Sequence, residues 1–257
     1  MEIKNRDGEK LDVSIEGANL DSAKQIIVFA HGFGTDKHER GTFDQISEKI
    51  INSSNDVATI RFSYSGFGES EGDQKVKTLD TMVSDLSSVM DFVKNSKAEN
   101  SAVKMIAFSL GNHITAKYLA SVDDTRPEKV ILINLPECKF KSRMQSYFKD
   151  KPGTKIDDLG VWHLERSSGS TTYVGSGFWD SVSHPESQLS NLENLTRKYG
   201  TYLIRATDDE IIDSKASDAE ISDFPFEEIL YLRGDHNYSK LEYREEFMKS
   251  LMKVLDI

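Results

Sequence analysis

The sequence predicts an α/β fold: a mostly parallel, doubly wound sheet. Three observations carry this. Short, near-continuous apolar runs recur along the chain, runs with helical periodicity fall between them, and the first residues read as an antiparallel hairpin. Apolar strands without alternation are buried on both faces, which is the mark of a parallel sheet covered by helices.

In order, Glu2–Asn5 and Lys10–Ile15 flank the turn Arg6-Asp7-Gly8-Glu9 and form the predicted hairpin. Gln25–Ala30 is the first buried strand, stopped by His31-Gly32, and Val57–Phe62 is the second. A helix near Phe43–Ile51 lies between them. The clearest helix runs from about Thr78 to Lys94, where Leu79, Met82, Val83, Leu86, Val89, Met90 and Val93 follow the i, i+3, i+4, i+7 rule. Val103–Phe108 is the next strand, followed by a helix over Gly111–Ser121 and a strand over Lys129–Asn134. After an irregular stretch come the strand Thr201–Arg205, a helix near Ser214–Ile221, the strand Glu228–Leu232 and a helix over Leu241–Leu255.

The irregular stretch, from Glu137 to about Asn194, has no long buried strand and holds both tryptophans, Trp162 and Trp179, with Phe140, Tyr147, Phe148, Tyr173 and Phe178. This predicts an insertion with a small core of its own. Within it, Ser167-Ser168-Gly169-Ser170 followed by Thr171–Gly175 reads as a short hairpin. The expected organisation is a core domain of residues 1–136 and 195–257 with an insertion over 137–194.

Composition narrows the function. The 257 residues carry 32 basic against 43 acidic side chains, a formal net charge of −11. Acidic residues cluster at Glu69, Glu71 and Asp73 and at Asp208, Asp209 and Glu210, and a chain that binds nucleic-acid phosphates normally has a basic face. Nucleic acid is therefore not an expected partner. Cys138 is the sole cysteine, so no intrachain disulfide can form. Met1–Asp7 is polar, which predicts no signal peptide, and no run approaches the ~20 apolar residues of a membrane span. The expected location is cytoplasmic.

The chemistry centres on Met105-Ile106-Ala107-Phe108-Ser109-Leu110-Gly111-Asn112, where a strand turns at Ser109 into a helix. A serine on such a strained turn needs small residues two before and two after it, here Ala107 and Gly111. The helix start also directs backbone N–H groups at an oxyanion beside the serine. The strict G-x-S-x-G match lies elsewhere, at Gly68-Glu69-Ser70-Glu71-Gly72, in an acidic loop that no strand feeds. Ser70 is read as a loop residue. His31-Gly32-Phe33-Gly34 ends one strand and can aim an N–H at the same oxyanion. Thr207-Asp208-Asp209-Glu210-Ile211 ends another and places a carboxylate, Asp208 or Asp209, where open α/β sheets hold their sites. Gly234-Asp235-His236 ends the last and supplies a histidine. The chain order is Ser, Asp, His.

With Tyr64-Ser65-Gly66-Phe67-Gly68-Glu69-Ser70, these segments make the chain from Lys24 onward resemble the α/β-hydrolase superfamily. Within it, the chain is similar to small bacterial serine esterases of the cinnamoyl/feruloyl esterase and monoacylglycerol lipase kind. The resemblance implies an α/β-hydrolase fold with a lid at the insertion. It implies a catalytic triad of Ser109 as nucleophile, His236 as base and Asp209 as acid, with Asp208 as the rival acid. It implies an oxyanion hole from the backbone N–H groups of Phe33 and Leu110. Ala107 and Ala206 stand where the family more often has glycine, and Asn112 where a second glycine often follows. The expected activity is that of a carboxylesterase acting on small-molecule esters of small or medium acyl groups through an acyl-enzyme. Two alternatives stand beside it: a thioesterase or peptidase-like acyl hydrolase on the same triad, and a hydrolase-fold protein that binds a ligand without turnover. The sequence leaves the oligomeric state open.

Other residues are read plainly. His113 is expected to lean away from Ser109, and His31 to brace its loop. His38, His163 and His184 lack partners at metal-ligand spacing, so no metal and no cofactor is expected. The insertion's aromatics either wall a pocket over Ser109 or form the insertion's own core. Lys139, Lys141 and Arg143 either meet a substrate carboxylate or form a solvated face.

Overall fold

The computed structural model describes residues 2–96, 101–122, 127–166 and 169–257. Two short strands open the chain, β1 (Ile3–Lys4) and β2 (Lys10–Leu11), paired antiparallel with Ile3 opposite Leu11. The second arm of the expected hairpin divides at Asp12. Beyond it, β3 (Val13–Gly17) leaves the hairpin and joins the main sheet. The Asp12 carbonyl accepts from Ser63 N–H (2.9 Å) and its carboxylate pairs with Lys37 Nζ (2.6 Å), which redirects the chain.

The remaining elements are β4 (Gln25–Ala30), α1 (Thr42–Ser53), β5 (Val57–Phe62), α2 (Leu79–Asn95), β6 (Ala102–Phe108), α3 (Leu110–Ser121) and β7 (Pro127–Ile133). Then follow α4 (Phe140–Lys149), β8 (Lys155–Ile156), β9 (Trp162–Glu165), β10 (Thr171–Val174), α5 (Ser176–Ser181), α6 (Pro185–Lys198), β11 (Gly200–Ala206), α7 (Ser214–Glu220), β12 (Glu228–Leu232) and α8 (Leu241–Leu255). The seven-stranded sheet has the order β12-β11-β7-β6-β4-β5-β3. Every neighbour pair in it is parallel except β3 with β5. This is the mostly parallel sheet that the apolar runs predict, in the α/β-hydrolase arrangement that the resemblance implies.

The sheet is covered on both faces. On one, Phe43, Ile46 and Ile50 of α1 and Phe247 and Leu251 of α8 bury Ile27, Phe29, Ile106 and Ile204. On the other, Leu86, Met90, Ile114 and Leu192 of α2, α3 and α6 bury Ile26, Val28, Met105 and Leu132. Burying a side chain of this size is worth roughly 1.5–3 kcal/mol each, so the two layers hold the strand ends in fixed register. The helix α2 is set by a reciprocal cap: Thr78 Oγ1 accepts from Thr81 N–H, and Thr81 Oγ1 accepts from Thr78 N–H. The edge strand β12 is less buried than its apolar sequence predicts, with Tyr231 exposed.

The stretch between β7 and α6 holds α4, α5 and a small antiparallel sheet, β10-β9-β8. The predicted hairpin is there, with Thr171 opposite Glu165, although Ser167 and Ser168 lie outside the described residues. Its aromatics do not form a separate core. Trp162, Phe178 and Trp179 are continuous with the α2–α3–α6 face, because the stretch lies directly on that layer.

Candidate active site

Ser109 sits between β6 and α3 with φ 52 and ψ −120, a conformation that a non-glycine residue adopts only when its surroundings force it. Its N–H donates to Ile133 O (2.9 Å), and the Asn112 side chain donates to the same carbonyl (2.9 Å). Asn112, where the family often has glycine, thus ties the elbow to β7. The demand for a small residue at 111 is steric: a Cβ there would lie 2.3 Å from Ala30 O.

The acid and the base meet across the ends of β11 and β12. Asp209 Oδ2 accepts from His236 Nδ1 (2.7 Å), and both side chains are buried, at 3 % and 6 % exposure. Asp209 Oδ1 accepts from the N–H groups of Ile211 (2.8 Å) and Ile212 (2.9 Å), which fixes the carboxylate's rotation. The proton on Nδ1 leaves Nε2 of His236 as the basic nitrogen. Asp208 faces solvent, 3.7 Å from Arg233 Nε, and does not touch His236. Of the two rival carboxylates, Asp209 is the one beside the imidazole.

Asn134, at the end of β7, holds this pair together, and nothing in the sequence spacing marks it. It is fully buried with φ 49. Its Nδ2 donates to His236 O (2.8 Å), and its Oδ1 accepts from Ala206 N–H (2.7 Å). One side chain therefore clamps the histidine loop to the strand that carries the acid.

Ser109 and His236 line one cleft of about 950 Å³, together with Phe33 and Leu110. Among the described residues none is hydrogen-bonded to Ser109 Oγ, so the hydroxyl is open to that cleft. In unliganded sites such bonds are often long and close only around substrate. The N–H groups of Phe33 and Leu110 are likewise not bonded to another described residue. Leu110 N–H belongs to the first turn of α3, where no intrahelical acceptor exists. Gly32 brings the Phe33 loop against the serine: a Cβ on it would lie 3.3 Å from Ser109 Cβ. Buried Glu39 anchors that loop, accepting from Gly32 N–H (2.6 Å) and Thr35 Oγ1 (2.8 Å), and burial raises its pKa. The glycine-rich motif in the sequence gives no sign of Glu39, because the contact depends on the strained φ of 42 at that residue.

The other histidines take structural places. His31 Nδ1 donates to Gly32 O (2.9 Å) and Nε2 accepts from Tyr64 N–H (3.1 Å), so it braces its loop as expected. His113 turns away from Ser109; its Nε2 donates to Pro136 O (3.1 Å) and its ring stacks on Phe140. Burial pulls both pKa values down to about 4. In the unfolded chain a histidine gains its proton near pH 6.5. Between pH 6.5 and 4 the unfolded chain therefore holds protons that the native chain refuses, and stability present above pH 6.5 is lost as the pH falls. His113→Gln keeps a donor for Pro136 and removes one such proton. On going from pH 7 to pH 4.5 it is expected to lose about 2 kcal/mol less stability than the wild type in urea unfolding. Equal losses would contradict this account.

Ser70 is a loop brace: its hydroxyl donates to Ser63 O (2.8 Å) and accepts from Asp12 N–H (2.8 Å). Of the insertion's aromatics, Phe140, Tyr147 and Phe148 line the cleft, whereas Trp162 and Trp179 pack on each other. Of the cations singled out in the sequence, Arg143 lines the cleft but is paired with carboxylates, and the other two are bonded or exposed. Arg143 pairs with Glu137 (2.7 Å) and Asp213 (2.8 Å), Lys141 donates to Ser183 Oγ (2.6 Å), and Lys139 is exposed. Cys138 is a buried thiol whose pKa burial raises. Among the described residues no group of three His, Cys, Asp or Glu side chains is placed to hold a metal ion, and no helix is long and apolar enough to cross a membrane.

Solved structures of similar shape cover essentially the whole chain. Est1E from Butyrivibrio proteoclasticus, in a complex with ferulic acid, superposes with a TM-score of 0.73 at 17% identity over 99% of this chain and 97% of its own. The esterase Pf2001 from Pyrococcus furiosus gives 0.71 at 18% identity over 100% and 90%. The esterase EaEST from Exiguobacterium antarcticum gives 0.69 at 17% identity over 100% and 99%. At these identities the likeness is one of fold. No sequence among the curated proteins is similar enough to count as a match. The family model described as serine aminopeptidase, S33 matches residues 21–166, which carry both the Phe33 loop and the Ser109 elbow, and the chain belongs to that family of hydrolases.

Proposed function

We propose that the protein is a serine esterase that cleaves carboxylic esters of small or medium acyl groups. The observation that carries this reading is the buried Asp209–His236 pair opening on the same cleft as the strained Ser109. His236 Nε2 takes the proton of Ser109 as Oγ attacks the acyl carbonyl. Asp209 fixes the imidazole tautomer and stabilises its charged form. The tetrahedral oxyanion sits between the N–H groups of Phe33 and Leu110, where each donor contributes roughly 3–4 kcal/mol to the transition state. The ester's alcohol leaves with the proton from His236, and water then releases the acyl group by the same route. Residues 137–194 act as a lid over the core of residues 1–136 and 195–257, with Phe140, Tyr147 and Phe148 as its apolar wall. The esterases among its structural neighbours, one of them holding ferulic acid, support a small-molecule ester as substrate.

The family's description favours a second reading, a peptidase-like acyl hydrolase on the same three residues. A panel of p-nitrophenyl esters, acyl thioesters and aminoacyl arylamides separates the two. The expected order of kcat/KM is ester first, with arylamides at least about a hundredfold lower; each factor of ten is about 1.4 kcal/mol in the barrier. Arylamides cleaved as fast as esters would replace the first reading by the second.

A further inference from the structure

The insertion places a cation in the cleft that the mechanism above does not use. Arg166 follows β9, and its Nε donates to Thr172 Oγ1 on β10 (2.8 Å). Its guanidinium lies 5.5 Å from the Phe33 ring centre and 5.4 Å from that of Phe148. It also packs against the Phe33 loop: a Cβ on Gly34 would come 1.8 Å from Arg166 Nη2. Gly34 has φ +65, so glycine serves both the turn and the arginine. Nη2 is buried, and among the described residues no acceptor reaches it. Glu39, the buried carboxylate of the loop, is occupied by Gly32 and Thr35.

A desolvated guanidinium with a free N–H is costly unless something pairs with it, and stacking on two rings offsets only part of the cost. Burial brings its pKa down to about 10, so it stays a cation at neutral pH. Nε is taken by Thr172 and Nη2 is closed against Gly34, so Nη1 is the edge left open to a carboxylate. Arg166 lines the cleft beside Phe33, whose N–H is the proposed oxyanion donor.

We propose that Arg166 is a specificity residue that binds a carboxylate carried by the substrate, so that the preferred esters are half-esters of dicarboxylic acids. This rests on the ester-hydrolase reading for its chemistry but not for its binding. The test therefore measures binding in the absence of turnover. Monomethyl glutarate and its neutral dimethyl ester are titrated by calorimetry into the Ser109→Ala protein, with and without Arg166→Gln or Arg166→Lys. The expected result is that the monoanion binds at least tenfold more tightly than the diester, that Arg166→Gln removes this preference, and that Arg166→Lys keeps part of it. Equal binding of the two ligands, or a preference that survives Arg166→Gln, would overturn the proposal. A uniform loss of both ligands in Arg166→Gln and Arg166→Lys alike would also overturn it, as a purely structural role. Turnover of a neutral p-nitrophenyl ester by the wild type, measured in parallel, reports only on the ester-hydrolase reading.

Discussion

Ser109→Ala and His236→Ala are each expected to lower kcat/KM on a p-nitrophenyl ester by roughly four orders of magnitude or more. The two losses should be similar in size, and the double variant should be little worse than either. A serine without its base is a weak nucleophile, and a base without the serine has nothing to activate. Ser109→Ala should keep its stability, whereas His236→Ala leaves buried Asp209 without its imidazole partner and should unfold at a lower temperature while keeping the fold. Ser109 contributes to the elbow through its backbone N–H, which alanine retains, and His236 meets Asn134 through its carbonyl. Ser70→Ala is the contrasting control, because its hydroxyl bridges Ser63 and Asp12 and does not line the cleft. Its rate should stay within a few-fold of the wild type. Steady-state kinetics with thermal unfolding of each variant checks all three.

Asp209→Asn is expected to cost about a thousandfold or more in kcat, and Asp208→Asn little beyond twofold. The asymmetry follows from hydrogen-bond polarity. Ile211 and Ile212 N–H groups both point at Oδ1 of residue 209, so an amide there must place its oxygen on that side. Its NH2 then faces His236 Nδ1, which becomes an acceptor, and the ring proton moves to Nε2. That tautomer cannot take the proton of Ser109. Asp208 has no such place: it is exposed, and its loose pairing with Arg233 is worth little. A large loss in Asp208→Asn with normal turnover in Asp209→Asn would reverse the assignment of the acid.

The strands that carry the site are legible because they are long apolar runs between turns. Gln25–Ala30, Val57–Phe62 and Glu228–Leu232 lie where the pattern puts them, and the ends of the other three strands shift by one or two residues. The residues now grouped in the cleft are legible for a related reason: each follows a strand end in one sheet, and order along the chain becomes proximity in space. What stays hidden depends on single contacts. Asn134 reads as the last residue of a strand, yet it is a clamp joined to His236 and Ala206 from far along the chain. Glu39 is an ordinary acidic residue until the loop's strained backbone turns it under Gly32. Arg166 lies in the stretch with the least periodicity, whereas the sequence directs attention to Lys139, Lys141 and Arg143, none of which is left as a buried free cation. The split of the N-terminal hairpin at Asp12 is likewise a tertiary effect, set by Ser63 and Lys37.

The central claim is that Ser109 is a nucleophile activated within this cleft. Labelling the purified protein with a fluorophosphonate at neutral pH and mapping the adduct by peptide mass spectrometry tests it most directly. One adduct, on Ser109, absent from Ser109→Ala and strongly slowed in His236→Ala, is the predicted result. A protein that hydrolyses esters but carries the adduct on another serine, or that leaves Ser109 unmodified, would contradict it.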